Sequence, residues 1–355
     1  EDAWDRVKAS GLAVEESFPV AEGRYDLNIL LTNTVGKQFS LLEQVLEVPP
    51  AKTGPAIEGP FIGYKFEAYP RDVHIPFKVL DKKLVVDPKK TFAAGEGIAV
   101  LFNVLNPTPE IVRDGEARIV VKGFRQAAPV RKTYTIKLDA PAVGRVLSIP
   151  YTIPAGELEP DYYEVAVVLA GPGGQVLDQQ ADQITVSPAP VVGHPIANAK
   201  GIPLANQFLF RYMVAEQLEK TGRPEAAAAL YEEGYRLRPD YADGVVRYAN
   251  FLLGTGAYAR TLEIAESLRG DEKRQFVLRA VRGQALLGLE RHEEALAELL
   301  QANKIYNSET VVLNAMGRCY LKLGRKAEAL DAFAASLRLN PEQPDITKAV
   351  EDLKR

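Results

Sequence analysis

Residues able to carry out chemistry are few and scattered in this chain. His74, His194 and His292 fall in three separate stretches, so no pair of imidazoles is set up by local spacing. His292-Glu293-Glu294 opens like a zinc-protease helix, but Leu296 stands where the second histidine of that motif belongs. The triplet suits a helix start better, because acidic side chains favour the first turn. No G-x-x-x-x-G-K-[ST] loop, G-x-S-x-G elbow or EF-hand loop occurs. Carboxylates are plentiful, in clusters such as Glu157, Glu159 and Asp161. Two carboxylates could run glycoside hydrolysis if held about 5 to 9 Å apart, yet the simplest place for this cluster is a solvated loop. Cys319 is the single cysteine, which excludes an intrachain disulfide and a cysteine-based metal cluster. Neither a metal nor a cofactor is expected, and Trp4 reads as core or interface burial.

The totals describe the chain that would have to position such residues. Its 355 residues suffice for two or three domains, with 46% hydrophobic and 25% charged side chains. A net charge of -4, from 43 basic and 47 acidic residues, argues against nucleic acid as a partner. Nothing approaches the run of about 18 apolar residues that spans a membrane. The start at Glu1-Asp2-Ala3-Trp4, without methionine or signal peptide, leads to the expectation of a removed upstream piece.

The second half repeats itself. "TGRPEAAAALYEEGYRLRP" at 221–239 and "LGRKAEALDAFAASLRLNP" at 323–341 are two of four ungapped windows, 208–241, 242–275, 276–309 and 310–343. Ala215, Ala249, Gly283 and Gly317 share one column; Leu218, Leu252, Leu286 and Tyr320 share another, and Ala227, Thr261, Ala295 and Ala329 a third. Small residues let helices approach and large ones fill the space beside them. Breaks at Thr221-Gly222, Gly256, Leu289-Glu290 and Gly324 divide each window into two helices. Pro239 and Pro341 stop second helices, since proline lacks the amide donor.

Period, columns and terminal proline resemble the tetratricopeptide repeat over residues 208–343. Departures are visible. The family's large aromatic column holds Arg211, Val245, Arg279 and Leu313, and Lys273 and Asn307 replace the proline in the inner units, which predicts irregular packing there. "DITKAVEDLKR" reads as a capping helix. The resemblance implies a superhelix whose first helices line a concave groove for a peptide or protein partner. By the same resemblance the groove columns are Tyr212, Val246, Ala280 and Asn314, then Glu216, Asn250, Gln284 and Arg318, with Lys322 near a rim. Carboxamides satisfy a peptide amide in both directions, and Arg318 can hold a carboxylate. The alternatives are that these are ordinary solvated residues, or that the groove is filled by the chain's own linker or by a partner domain. Tyr212 and Glu216 stand where chaperone-binding members carry the lysine and asparagine of a carboxylate clamp, which disfavours that activity.

Residues 61–188 switch to period-two alternation: "IGYKFEAY", "GIAVLFNVL", "ARIVVKG", "KTYTIKL", "RVLSIPYTI", "YYEVAVVLA" and "ADQITVS" read as strands. Strands without intervening helices predict an immunoglobulin-like or fibronectin-like β-sandwich. Residues 12–49 resemble 147–188, with Tyr25 falling on Tyr163 and Gly36 on Gly174. The first 50 residues therefore read as the last strands of a truncated sandwich, and a few strands alone cannot close a core. Exposed strand edges invite homo-oligomerisation or docking. Proline-rich stretches at 49–60 and 187–203 read as semi-rigid spacers.

The expected layout is thus 1–50 truncated sandwich, 60–188 immunoglobulin-like β-sandwich, 189–206 linker, 207–343 four repeat units and 344–355 capping helix. Tandem sandwiches with "VAEGRYDL", "LEPDYYEV", and "LVVDP" followed by "FAAGE" resemble accessory modules of bacterial extracytoplasmic proteins, which implies a periplasmic or secreted location. The leading functional reading is a non-enzymatic protein-protein interaction scaffold. Its rivals are a carbohydrate-binding or enzyme-accessory β-sandwich, with Tyr64, Tyr69 and Tyr162 stacking on sugar rings, or the accessory tail of a larger extracytoplasmic enzyme or adhesin.

Overall fold

A computed structural model of the chain describes residues 3–124, 131–139, 144–189 and 193–354. Strands dominate the first half and helices the second. Two units result: Glu1–Phe18 with Glu22–Asn206, and Pro19–Ala21 with Gln207–Arg355.

The first unit runs α1 (Ala3–Ser10), β1 (Leu12–Glu15), β2 (Gly23–Thr32), β3 (Phe39–Val48), β4 (Ala56–Ala68), β5 (Val73–His74), β6 (Lys78–Val79), β7 (Lys82–Val86), β8 (Thr91–Ala93), β9 (Ile98–Leu105), α2 (Pro109–Asp114), β10 (Glu116–Gly123), β11 (Arg131–Lys137), β12 (Val146–Ile153), β13 (Asp161–Ala170), β14 (Val176–Ser187), β15 (Ile196–Ala199) and β16 (Ile202–Pro203). Every stretch with period-two alternation has become a strand. In β10 the even-handed alternation turns Ala117, Ile119 and Val121 inward, all fully buried, while their neighbours stay half-exposed. Two five-stranded sheets, ordered β11-β10-β13-β14-β8 and β12-β9-β4-β7-β6, share one core of Phe92, Phe102, Ile119, Leu147, Tyr163, Val165 and Val167. β9 is apolar on both sides because its outer residues Ala99 and Leu101 join a second cluster with Val79 and Leu84.

Both proline-rich stretches are pinned rather than free. β4 begins at Ala56, inside the stretch that reads as a spacer, since Ala56 and Ile57 find burial and the Ile57 amide donates to Asp178 at 2.9 Å. Lys52 pairs with the same carboxylate at 2.6 Å. Further on, β15 lies parallel to β1, with Leu12 opposite Ile196, and β16 pairs with β5. Local composition cannot register such long-range pairing. Beside β1, the Glu15 carboxylate and the Lys83 ammonium of β7 meet at 2.8 Å, each less than a tenth exposed. His194 forms a 2.5 Å contact with Asp87, which is 1% exposed, and stacks on Tyr64 with ring centroids 4.0 Å apart.

The second unit runs α3 (Phe208–Lys220), α4 (Pro224–Leu237), α5 (Ala242–Gly254), α6 (Tyr258–Ala265), α7 (Gln275–Gly288), α8 (His292–Ile305), α9 (Thr310–Lys322), α10 (Lys326–Leu339) and α11 (Pro344–Lys354). Each window of the repeat is one helical hairpin, and each hairpin packs on the next. The small-residue column works as a set of sockets. A Cβ at Gly317 would meet Cε1 of Phe333 at 2.4 Å, and one at Gly283 would meet Cγ of Leu299 at 2.5 Å. The irregularity expected in the inner units falls in the second: α6 stops at Ala265 and two 3-10 turns, Glu266–Leu268 and Glu272–Arg274, lead into α7. α11 lays Ile346, 5% exposed, on the last hairpin, with Ala349, Val350 and Leu353 packed beside it.

Candidate functional site

The first helices α3, α5, α7 and α9 neighbour one another in that order, so residues at one repeat position form a row across them. The row members differ in what they offer a ligand. Tyr212 is 2% exposed, wedged where Gly234 and Gly244 lack side chains: a Cβ at either would come within 2.9 or 2.4 Å of its ring. Burial holds its hydroxyl far above the ordinary tyrosine range. Ala280 is buried as well, and Val246 is half-buried. Glu216 is engaged with Lys220 at 2.8 Å and with Arg247 on the next first helix; the Lys220 hydrogen bond leads in holding its carboxyl below the usual range.

Gln284 turns back to donate to the Ala280 carbonyl on its own helix at 3.2 Å. Asn314 donates to Gln343 at 2.7 Å, and Gln343 in turn donates to the Ser336 and Asn340 carbonyls, so Asn314 braces the turn before α11. Asn250, Arg318 and Lys322 are exposed, and among the described residues none of their side chains makes a hydrogen bond or ion pair. Arg318 and Lys322 are one turn apart on α9 and share a face. Two unspent cations therefore stand side by side.

In the family's aromatic column, charge pairing replaces ring packing. Arg211 meets Glu233 at 2.9 Å and Arg279 meets Glu298 at 2.8 Å, while Val245 and Leu313 are simply buried. Glu298 also accepts from Arg282 at 2.9 Å. Burial pushes its carboxyl upward, but the Arg279 and Arg282 bonds outweigh that and leave it below the usual range.

The remaining sequence candidates have settled elsewhere. Cys319 is fully buried, and burial pushes its thiol up to about 11, which suits a packed side chain rather than a nucleophile. Glu157 pairs with Lys132 at 2.5 Å. Asp161, expected in a solvated loop, is 2% exposed at the start of β13, where the strand carries it into the sheet. Tyr69 lies under Arg71, Tyr64 has one face covered by His194, and Tyr162 is 48% exposed. Among the described residues no group of three histidine, cysteine or acidic side chains is placed to hold a metal ion. Among the described residues no helix is long and apolar enough to cross a membrane.

One arrangement escaped the sequence reading. Gln217 of α3 donates to the Pro19 carbonyl at 3.1 Å and accepts from the Ala21 amide at 2.8 Å, a two-point grip on an extended segment far upstream. Ala21 is 7% exposed in the cluster of Phe208, Tyr212 and Ala215. The signal was present: in later units this position holds Phe251, Ala285 and Cys319, all buried, and only the first unit has a polar residue there. Gln217 has the Pro19–Ala21 backbone to satisfy where its counterparts have a preceding hairpin. Gln217→Ala is expected to remove both bonds, about 1 kcal/mol each, and to speed exchange of the Ala21 amide by about tenfold. Unchanged exchange, followed by mass spectrometry, would show that the grip is dispensable.

Comparison with known proteins gives a family model, tetratricopeptide repeat, matching residues 311–343. No curated protein matches the chain. Among solved structures, MamA from Desulfovibrio magneticus RS-1 is 16% identical, covering 42% of this chain and 84% of its own, with a TM-score of 0.38. A thermophilic TPR protein of Thermus thermophilus is 23% identical over 41% of this chain and 80% of its own, with a TM-score of 0.36. YrrB, described as a TPR protein with an unusual peptide-binding site, is 24% identical over 42% of this chain and 77% of its own, at 0.35. The chain carries a tetratricopeptide repeat at residues 311–343, in phase with three preceding helical hairpins.

Proposed function

We propose that the helical unit is a non-enzymatic docking module whose groove, along α3, α5, α7 and α9, holds an extended peptide or a segment of a protein partner. The observation that carries this reading is the trio Asn250, Arg318 and Lys322, exposed on first helices and uncommitted among the described residues. A carboxamide can pair with a peptide amide and carbonyl together, and a guanidinium with a carboxylate. The matched repeat contains Arg318 and Lys322, which supports placing the anionic end of the ligand there. Tyr212 and Ala280 then form the floor of the groove, while Val246, Gln284 and Asn314 line it and Glu216 sits as one half of a charge pair. The sheets of the first half are, in this reading, an immunoglobulin-like spacer, and their likeness to accessory modules supports a location outside the cytoplasm.

The test is selection of peptides from a random library on the intact chain, followed by affinity measurements on variants. Arg318→Ala with Lys322→Ala, and separately Asn250→Ala, should weaken binding by about tenfold or more while leaving thermal unfolding unchanged, because none of the three is buried. Selected peptides that bind all variants equally well would sink the groove assignment.

A further inference from the structure

β13 opens Asp161-Tyr162-Tyr163, and strand alternation sends the two rings to opposite faces of the sheet β11-β10-β13-β14-β8. Tyr163 turns into the core, 1% exposed, with its hydroxyl donating to the Glu159 carbonyl at 2.7 Å. Tyr162 turns outward. Phe124, one residue beyond β10, lies beside it: the Phe124 amide donates to the Tyr162 carbonyl at 3.0 Å, and the ring is 50% exposed. Phenylalanine has no polar atom to place in water, so a half-exposed ring there forgoes burial that the fold could have used.

The outer face around this aromatic pair is ordered in rows, because cross-strand partners point to the same side of a sheet. Tyr162 stands opposite Thr185. The next row, about 7 Å along the strands, is polar: Lys122, Glu164 and Gln183. After it comes a row of short side chains, Val120, Ala166 and Ala181. The short row makes the floor of a trough, and Ala166 is only 3% exposed although it faces away from the core. Two adjoining depressions of about 540 and 380 Å³ run along this face, the first reaching Tyr162, Phe124 and Gln183 and the second Glu164, Lys122 and Ala166.

The polar row holds both kinds of hydrogen-bonding group. Gln183 donates and accepts, Glu164 accepts, and Lys122, whose ammonium stands 5.6 Å from the centre of the Phe124 ring, donates. Among the described residues the side chains of Gln183, Glu164 and Thr185 make no hydrogen bond or ion pair. Lys122 and Glu164 balance in charge, and Lys90, at the edge of the first depression, is paired with Asp182 at 2.5 Å. An anionic polymer would meet Glu164 and Asp182 here, and a wholly apolar ligand would strand the polar row. Sugar rings match what is present. Their apolar faces stack on aromatic side chains, and their hydroxyls, each a donor and an acceptor, suit a carboxamide, a carboxylate and an ammonium side by side. The platform is also set in advance, since the Tyr162 amide donates to the Asp161 carboxylate at 2.7 Å and Asp161 is itself buried.

We propose that the outer face of this sheet binds a neutral oligosaccharide, with one ring stacked on Tyr162 and Phe124 and the next held by Lys122, Glu164 and Gln183. The site lies wholly in the first unit and does not depend on the peptide groove. The test is binding of the intact chain to an array of neutral hexasaccharides built from glucose, mannose, galactose or xylose, each at about 1 mM, with calorimetry on those retained. At least one should bind. Tyr162→Ala and Phe124→Ala should each weaken it about tenfold or more, Tyr162→Phe should retain it, and Gln183→Ala should weaken it severalfold. Thermal unfolding of these variants should stay unchanged, and Arg318→Ala, in the helical unit, should bind as the wild type does. An array with no hexasaccharide bound overturns the proposal, as does binding indifferent to Tyr162 and Phe124. A chain that takes up only anionic polymers, and releases them in salt, overturns it too.

Discussion

Phe333→Ala should destabilise the helical unit by about 3–5 kcal/mol, the range for emptying a well-packed aromatic site. Phe333 is 1% exposed and its ring fills the space left by Gly317, where a single added carbon would already collide. The cavity has no easy route to collapse, because glycine offers no side chain to move in and the neighbouring Ala329 and Ala332 are small. Gly317→Leu alone should be of similar severity for the opposite reason, overpacking against an immovable ring. The two changes share one site, so the double variant should be less damaged than the sum of the singles. Denaturant unfolding followed by helical circular dichroism reads all three; additive losses would mean that the socket is not shared.

Lys83→Met is the second large effect, in the first unit. Lys83 and Glu15 bury their charges together, at 4% and 8% side-chain exposure, and among the described residues the Glu15 oxygens have no hydrogen-bond partner, only the ion pair with that ammonium. Removing one partner of a buried pair leaves an uncompensated ion and costs about 3–5 kcal/mol, whereas replacing both by apolar groups is often neutral or better. Lys83→Met with Glu15→Leu is therefore expected to recover most of the loss. Thermal unfolding of the two variants decides it: a double variant as weak as the single one would mean that the pair contributes through packing of its stems and not through charge.

What the sequence made legible follows from how locally each feature is encoded. The helical hairpins could be read because Gly317, Gly283 and their column mates recur at one interval, and the sockets at Gly283 and Gly317 are filled by Leu299 and Phe333 from within their own hairpins. The strands of the first half were equally plain, since alternation such as that of Ala117, Ile119 and Val121 is a local property. Burial at a given repeat position was harder to foresee. Tyr212 shares a row with groove residues, yet it sinks because Gly234 and Gly244, on two other helices, happen to leave room. Asn314 and Gln284 were legible as carboxamides but not as occupied ones, because their partners, Gln343 and the Ala280 carbonyl, depend on side-chain choices that the period does not record. Proline content misdirected the reading at 49–60, where Asp178 collects Lys52 and the Ile57 amide into the sheet.

The grip of Gln217 on Pro19–Ala21 joins residues 196 and 198 positions apart. During synthesis the segment that finishes the first hairpin leaves the ribosome long before the hairpin exists, and it must stay available while all the intervening strands assemble. Closing so long a loop adds only a logarithmic entropy term, so the arrangement is tolerable at equilibrium but slow to reach. A fragment beginning at Gln207 would start with an unfinished end, and a circular permutant that places residues 19–21 directly ahead of α3 should supply the missing piece at once.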